Sequence, residues 1–149
     1  MEIKKERQGR LSRHFPPPPR LEVIISEGVL LGNTEIPGGM QQQIWHLLKV
    51  NEENRALIRL LPLATGPHRA SVSGAFTILE FPAADVGDKS SIEPPTVYSE
   101  SITGARYLDK PHEIAMHEAV WATLDGLALS VEDSNRLISK VLREKNDHE

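Results

Sequence analysis

At 149 residues, 39% apolar and 26% charged, the chain has the size and composition of one soluble globular domain able to bury a real core. It has no cysteine, which excludes disulfides, thiolate catalysis and cysteine-based zinc sites. A formal net charge of −4 argues against a free-standing nucleic-acid binder, and no apolar run approaches the ~20 residues of a membrane span.

Residues 1–20 read as a charged, proline-rich arm. Its basic residues are Lys4, Lys5, Arg7, Arg10, Arg13 and Arg20. Such a cluster can meet phosphates, but a solvated terminus is the plainer reading. Gly9 weakens a helix there, and Pro16-Pro17-Pro18-Pro19 favours a polyproline spacer. The first residues carry no apolar signal core, so a cytoplasmic location is expected.

Leu21 to Ile25 predicts a short strand. After Gly38-Gly39, the residues Met40, Ile44, Leu47 and Leu48 recur at helical spacing. Trp45 and Trp121 lie on predicted helices and are expected in the core. Leu57 to Leu61 predicts a strand stopped by Pro62, and Phe76 to Phe81 another stopped by Pro82. Residues 85–91 have loop composition. Thr96 to Ile102 is a third strand in this middle region, and Ala105 to Leu108 follows a Gly104 turn.

The last third is helical. Asp109 is a candidate cap and Pro111 suits a first turn. Ile114, His117, Val120, Trp121, Leu124, Leu127 and Ala128 form one stripe. Ser130-Val131-Glu132-Asp133 resembles a capping box. It opens a second helix with the stripe Val131, Ser134, Leu137, Ile138, Val141 and Leu142. The expected fold class is α+β: a small antiparallel sheet, an amphipathic helix in the N-terminal half and two C-terminal helices. The expected organisation is the arm, 1–20, and a single domain, 21–149.

His112 and His117 invite a metal reading. They are five residues apart, which turns them about 140° around a helix, so they do not share a face. His117 is expected to be a hydrogen-bonded histidine of the core, and no metal site is expected. Glu80 and Glu100 are the stronger candidates. Glu80 shares a strand parity with Phe76 and Ile78, and Glu100 with Thr96 and Tyr98. On neighbouring strands the two carboxylates would open onto one pocket, with Tyr98 and Tyr107 in its lining and Glu27 and His68 near its rim. Desolvation on an apolar face would suit either acid to proton transfer. Pairing with Arg59 or Arg106 at strand ends is the plainer reading. There is no phosphate-cradling loop, dinucleotide fingerprint or serine elbow, so no cofactor is expected.

An ordered set of short matches spans about residues 6–138. It includes Val23-Ile24-Ile25-Ser26-Glu27-Gly28-Val29-Leu30, Leu61-Pro62 with Gly66 and His68, Phe76-Thr77-Ile78-Leu79-Glu80-Phe81-Pro82, and Val97-Tyr98-Ser99-Glu100-Ser101 with Thr103-Gly104 and Tyr107-Leu108. This set resembles the C-terminal domain of actinomycete regulators of the XRE helix-turn-helix, antitoxin-like type. In that family a DNA-binding head precedes a domain thought to sense or hold a partner, often a small protein encoded next door. This chain begins where the head would have ended. The resemblance implies a ligand- or partner-binding domain that takes a small molecule or a small partner protein. A homodimer is compatible with this expectation, and specific DNA binding by the chain alone is not expected. The alternative is a cofactor-free enzyme of a natural-product pathway, a cyclase or isomerase, with Glu100 and then Glu80 as its acid or base.

Overall fold

Leu57 to Leu61 forms a strand that is buried along most of its length, and the elements around it are arranged to satisfy its backbone. The computed structural model describes residues 9, 18–32, 35–68, 70–81 and 93–147. These hold five α-helices and two small sheets, a mixed α+β fold as expected. Most of the basic arm and the 85–91 loop lie outside the described residues. The span expected to be one domain contains two compact units. One comprises residues up to Thr65 together with Leu127 onward, and the other runs from Gly66 to Gly126.

In the first unit, β1 (Glu22–Ser26) pairs in parallel with β2 (Leu57–Leu61), in a register from Glu22 opposite Leu57 to Ser26 opposite Leu61. The crossover between them carries α1 (Gly28–Leu31) and α2 (Gly39–Glu52). Gly38 precedes α2 at φ 67°, a left-handed conformation that glycine adopts without strain. The last helix, α5 (Val131–Asn146), begins where expected, with Ser130 Oγ accepting from the Asp133 N–H at 3.1 Å. Leu30, Ile44, Leu60, Ile138 and Val141 make the core, and Met40, Leu47, Leu48, Leu137 and Leu142 pack at its margin.

Two parallel strands alone leave two unpaired edges, and such pairs normally sit inside larger sheets. Here the outer edge of β2 is sealed by other means. The Leu57 N–H donates to the Leu21 carbonyl, and the Leu61 carbonyl accepts from the Glu27 N–H, both at 2.9 Å. The odd residues of β2 therefore face β1, and Ile58 and Leu60 face away. Asn51, near the end of α2, brackets Ile58: its Oδ1 accepts from the Ile58 N–H at 2.7 Å and its Nδ2 donates to the Ile58 carbonyl at 2.8 Å. The same Nδ2 donates to Asn135 Oδ1 of α5 at 2.8 Å. The Leu60 N–H donates to Ser134 Oγ, and the Leu60 carbonyl accepts from the Leu129 N–H, each at 2.9 Å. Asn51 is 4% exposed and Ser134 0%, so water does not compete for these bonds. Arg59 adds a tie, its Nε donating to the Leu129 carbonyl at 2.8 Å.

In the second unit, β3 (Phe76–Leu79), β4 (Thr96–Ser101) and β5 (Gly104–Leu108) form an antiparallel sheet in the order β3-β4-β5. A short α3 (Ala70–Ser73) precedes the sheet and α4 (Pro111–Leu127) follows it. Gly104 has φ 131°, which a side chain would strain, and it follows the Ile102-Thr103 turn of the β4–β5 hairpin. β3 ends at Leu79, short of the expected Phe81.

The expected antiparallel sheet is accompanied by a second, parallel one: among the described residues, β1 and β2 pair only with each other. One expectation is corrected: Trp45 is not in the core but 52% exposed. It lies one residue, about 100°, from the buried Ile44. The Lys49 ammonium stands 5.7 Å from its ring centroid, one helical turn on. Trp121 is half-buried. Among the described residues, no helix is long and apolar enough to cross a membrane.

Replacing Asn51 by Ala strands a buried N–H and a buried carbonyl of β2 at once. The expected loss is about 2–4 kcal/mol of unfolding free energy, from one to a few kcal/mol per orphaned group. Urea denaturation measures it, and a loss below about 1 kcal/mol would show that the edge is satisfied in another way.

Candidate binding face

The β4–β5 hairpin decides which side chains meet. A two-residue turn makes its flanking pair, Ser101 and Gly104, a hydrogen-bonded one. Alternation then makes Tyr98 opposite Tyr107 a non-hydrogen-bonded pair, the kind whose side chains approach more closely. Their rings lie 5.2 Å apart, tilted by 56°. Tyr98 is half-buried, whereas Tyr107 is 69% exposed.

The register sorts the remaining residues between the two faces of the sheet. Phe76 pairs with Ser99, Ile78 with Val97, and Val97 with Leu108. This is the covered face. Val97 is wholly buried, and the Phe76 ring meets the His117 ring edge-on at 5.0 Å between centroids. The opposite face carries Thr77 beside Tyr98 and Tyr107, and Ala105 beside Glu100. Thr77, Glu100, Ala105 and Tyr107 are exposed. Among the described residues, no ion pair engages Glu100.

The expected site residues therefore separate. Tyr98, Glu100 and Tyr107 share one face of one hairpin. Glu80 lies just beyond the end of β3 and is exposed. β3 and β4 are neighbours, but their register separates the two carboxylates along the pair: Glu80 follows Leu79, which pairs with Thr96, whereas Glu100 follows Ser99, which pairs with Phe76 at the other end. Glu27 belongs to the first unit, where it braces the backbone. Its Oε2 accepts from the Leu63 N–H at 2.9 Å and its carbonyl accepts from the Leu30 N–H at 2.9 Å. His68 is half-buried at the start of the second unit, and its Nδ1 is buried without a partner among the described residues. Arg59, considered above as a carboxylate partner, donates to the carbonyls of Leu129 and Ala128. Arg106 pairs across from Ser99, on the face away from Glu100.

His117 has the structural role expected of it. Its Nδ1–H donates to the Glu113 carbonyl one turn back, at 2.7 Å, which commits that nitrogen within the helix. His112 is exposed. Ala105 had not been singled out, although the Ser101-Ile102-Thr103-Gly104 turn fixes its pairing with Glu100. The same turn is the signal from which the tyrosine pair can be read.

The protein is thus an α+β protein with a tyrosine–carboxylate face on a short antiparallel sheet. A family model described as "Domain of unknown function (DUF5753)" matches residues 1–140, and the chain belongs to that family. Comparisons with curated proteins and with solved structures found no match.

The two faces should respond differently to truncation. Val97→Ala removes buried methyl groups and should destabilise by roughly 1.5–3 kcal/mol. Tyr107→Ala removes an exposed ring and one aromatic contact, and should cost about 1 kcal/mol or less. Thermal or urea unfolding of the two variants measures this. A larger loss for Tyr107→Ala would mean that its face is a packed interior surface.

Proposed function

We propose that this protein is a binding domain, similar to the effector part of actinomycete XRE-type regulators, and that the Tyr98–Glu100–Tyr107 face is its recognition surface. The observation that carries this reading is the exposed tyrosine, packed at a tilt against its half-buried neighbour, beside a carboxylate with no ion-pair partner among the described residues. Aromatic rings offer large contact area at little entropic cost, and a hairpin holds them in fixed positions. The register favours binding over paired acid–base catalysis, because Glu80 and Glu100 lie at opposite ends of the β3–β4 pair. The partner would be a small molecule or a small protein.

The test is protein-observed NMR on the full chain, titrated with a library of amine- and aromatic-bearing fragments. Hits should perturb amides of residues 96–108 and should disappear in Tyr107→Ala. Hits confined to residues outside that hairpin, unaffected by Tyr107→Ala, would contradict the proposal.

A further inference from the structure

The hairpin that carries the tyrosine face also carries a strand edge that is unpaired among the described residues. There β5 is the last strand of its sheet, and the hydrogen-bond alternation set by the Ser101–Gly104 turn turns the backbone groups of Ala105 and Tyr107 outward. Both residues are exposed. No backbone hydrogen bond outside the ladders reaches either among the described residues. Edge strands are usually blunted by a charged side chain, a proline or a cover; β5 has no proline, and its one charged residue, Arg106, stands on the face away from Tyr107.

Charge says what fits beside this edge. The one basic residue in the three strands, Arg106, lies on the other face. Glu100 stands on the tyrosine face, and Asp109, the residue after β5, continues the parity of Ala105 and Tyr107. The face is therefore aromatic and acidic, complementary to a cation. The row formed by Glu100 and Ala105 is the telling one. Ala105 is small, so a long side chain from a strand added outside β5 can cross above it to Glu100. That path covers two strand spacings, roughly 10 Å, which an arginine and a glutamate can bridge between them. On the way it runs alongside the Tyr107 ring. A guanidinium suits this path better than an ammonium, because it is planar, stacks on aromatic rings and binds carboxylates in bidentate fashion.

Resting on the binding reading above, we infer that the occupant of this face is an extended, arginine-bearing segment of a partner protein. It adds as a strand to the free edge of β5 and places its arginine opposite Ala105, between Tyr107 and Glu100. Main-chain bonds to Ala105 and Tyr107 provide affinity, and the arginine provides selectivity.

The test uses the full chain and a short capped peptide of alternating threonine and valine with a central arginine. Sister peptides carry citrulline or glutamate at the centre. Amide exchange and NMR titration are followed at Ala105, Tyr107 and Glu100. The arginine peptide should slow exchange of the Ala105 and Tyr107 amides. Citrulline in the peptide, or Glu100→Gln in the protein, should weaken binding roughly tenfold, as expected for loss of one charge-assisted contact. Unchanged exchange at Ala105 and Tyr107 would overturn the inference, as would equal binding of the arginine and glutamate peptides. Perturbation of the tyrosine face by free arginine amide, without protection of the edge, would overturn strand addition and leave the binding face standing. Perturbations confined to residues outside β4 and β5 would overturn both. Glu100→Gln is exposed and should melt as the parent does, so its effect on binding reads the contact and not the fold.

Discussion

The side-chain amide of Asn51 stands in for a missing strand. A two-stranded parallel sheet has no stability of its own to spare, and its outer polar groups would be orphaned in the core formed by α2 and α5. By presenting an acceptor and a donor to the N–H and carbonyl of Ile58, Asn51 reproduces what a neighbouring strand would offer. Ser134 and the backbone of Leu129 do the same for Leu60. These bonds join α2, β2, the α4–α5 connection and α5 into one unit. The packing of Ile44, Leu60 and Ile138 can be dry because they are made.

The second unit solves its problem differently. Its sheet is antiparallel, built largely from local pairings, and buries only one face. Val97, Phe76 and Ile78 face inward while Thr77, Glu100 and Tyr107 face outward, as a half-solvated antiparallel sheet requires. One edge of the first sheet is closed by buried polar side chains. The edge at β5 is left exposed beside its aromatic face. That contrast is the physical basis for the proposal that recognition lies on the second unit.

Much of this was legible in the sequence. The run Leu57 to Leu61 before Pro62 gave β2 at its observed bounds, and the stripes at Ile44 and Ile138 gave α2 and α5. Ser130 read correctly as a cap because capping chemistry is local. Parallel pairing of β1 with β2 was not legible, because no turn links them and a crossover carries no register signal. Asn51 lies past the Met40–Leu48 stripe, and nothing local in the sequence marks it. Its burial exists only once β2 lies alongside. The relation of Glu80 to Glu100 depends on the β3–β4 register, which alternation within either strand does not contain. The pairing of Tyr98 with Tyr107 was within reach, since a two-residue turn dictates it.

Native-state hydrogen exchange on the free protein tests the contrast between a sealed and an open edge most directly. If side chains close the outer edge of β2, the Ile58 and Leu60 amides exchange only through global unfolding and rank among the slowest in the chain, whereas the Ala105 and Tyr107 amides exchange through local fluctuation and rank among the fastest strand amides. Fast exchange at Ile58 and Leu60, or protection at Ala105 and Tyr107 equal to theirs, would contradict it.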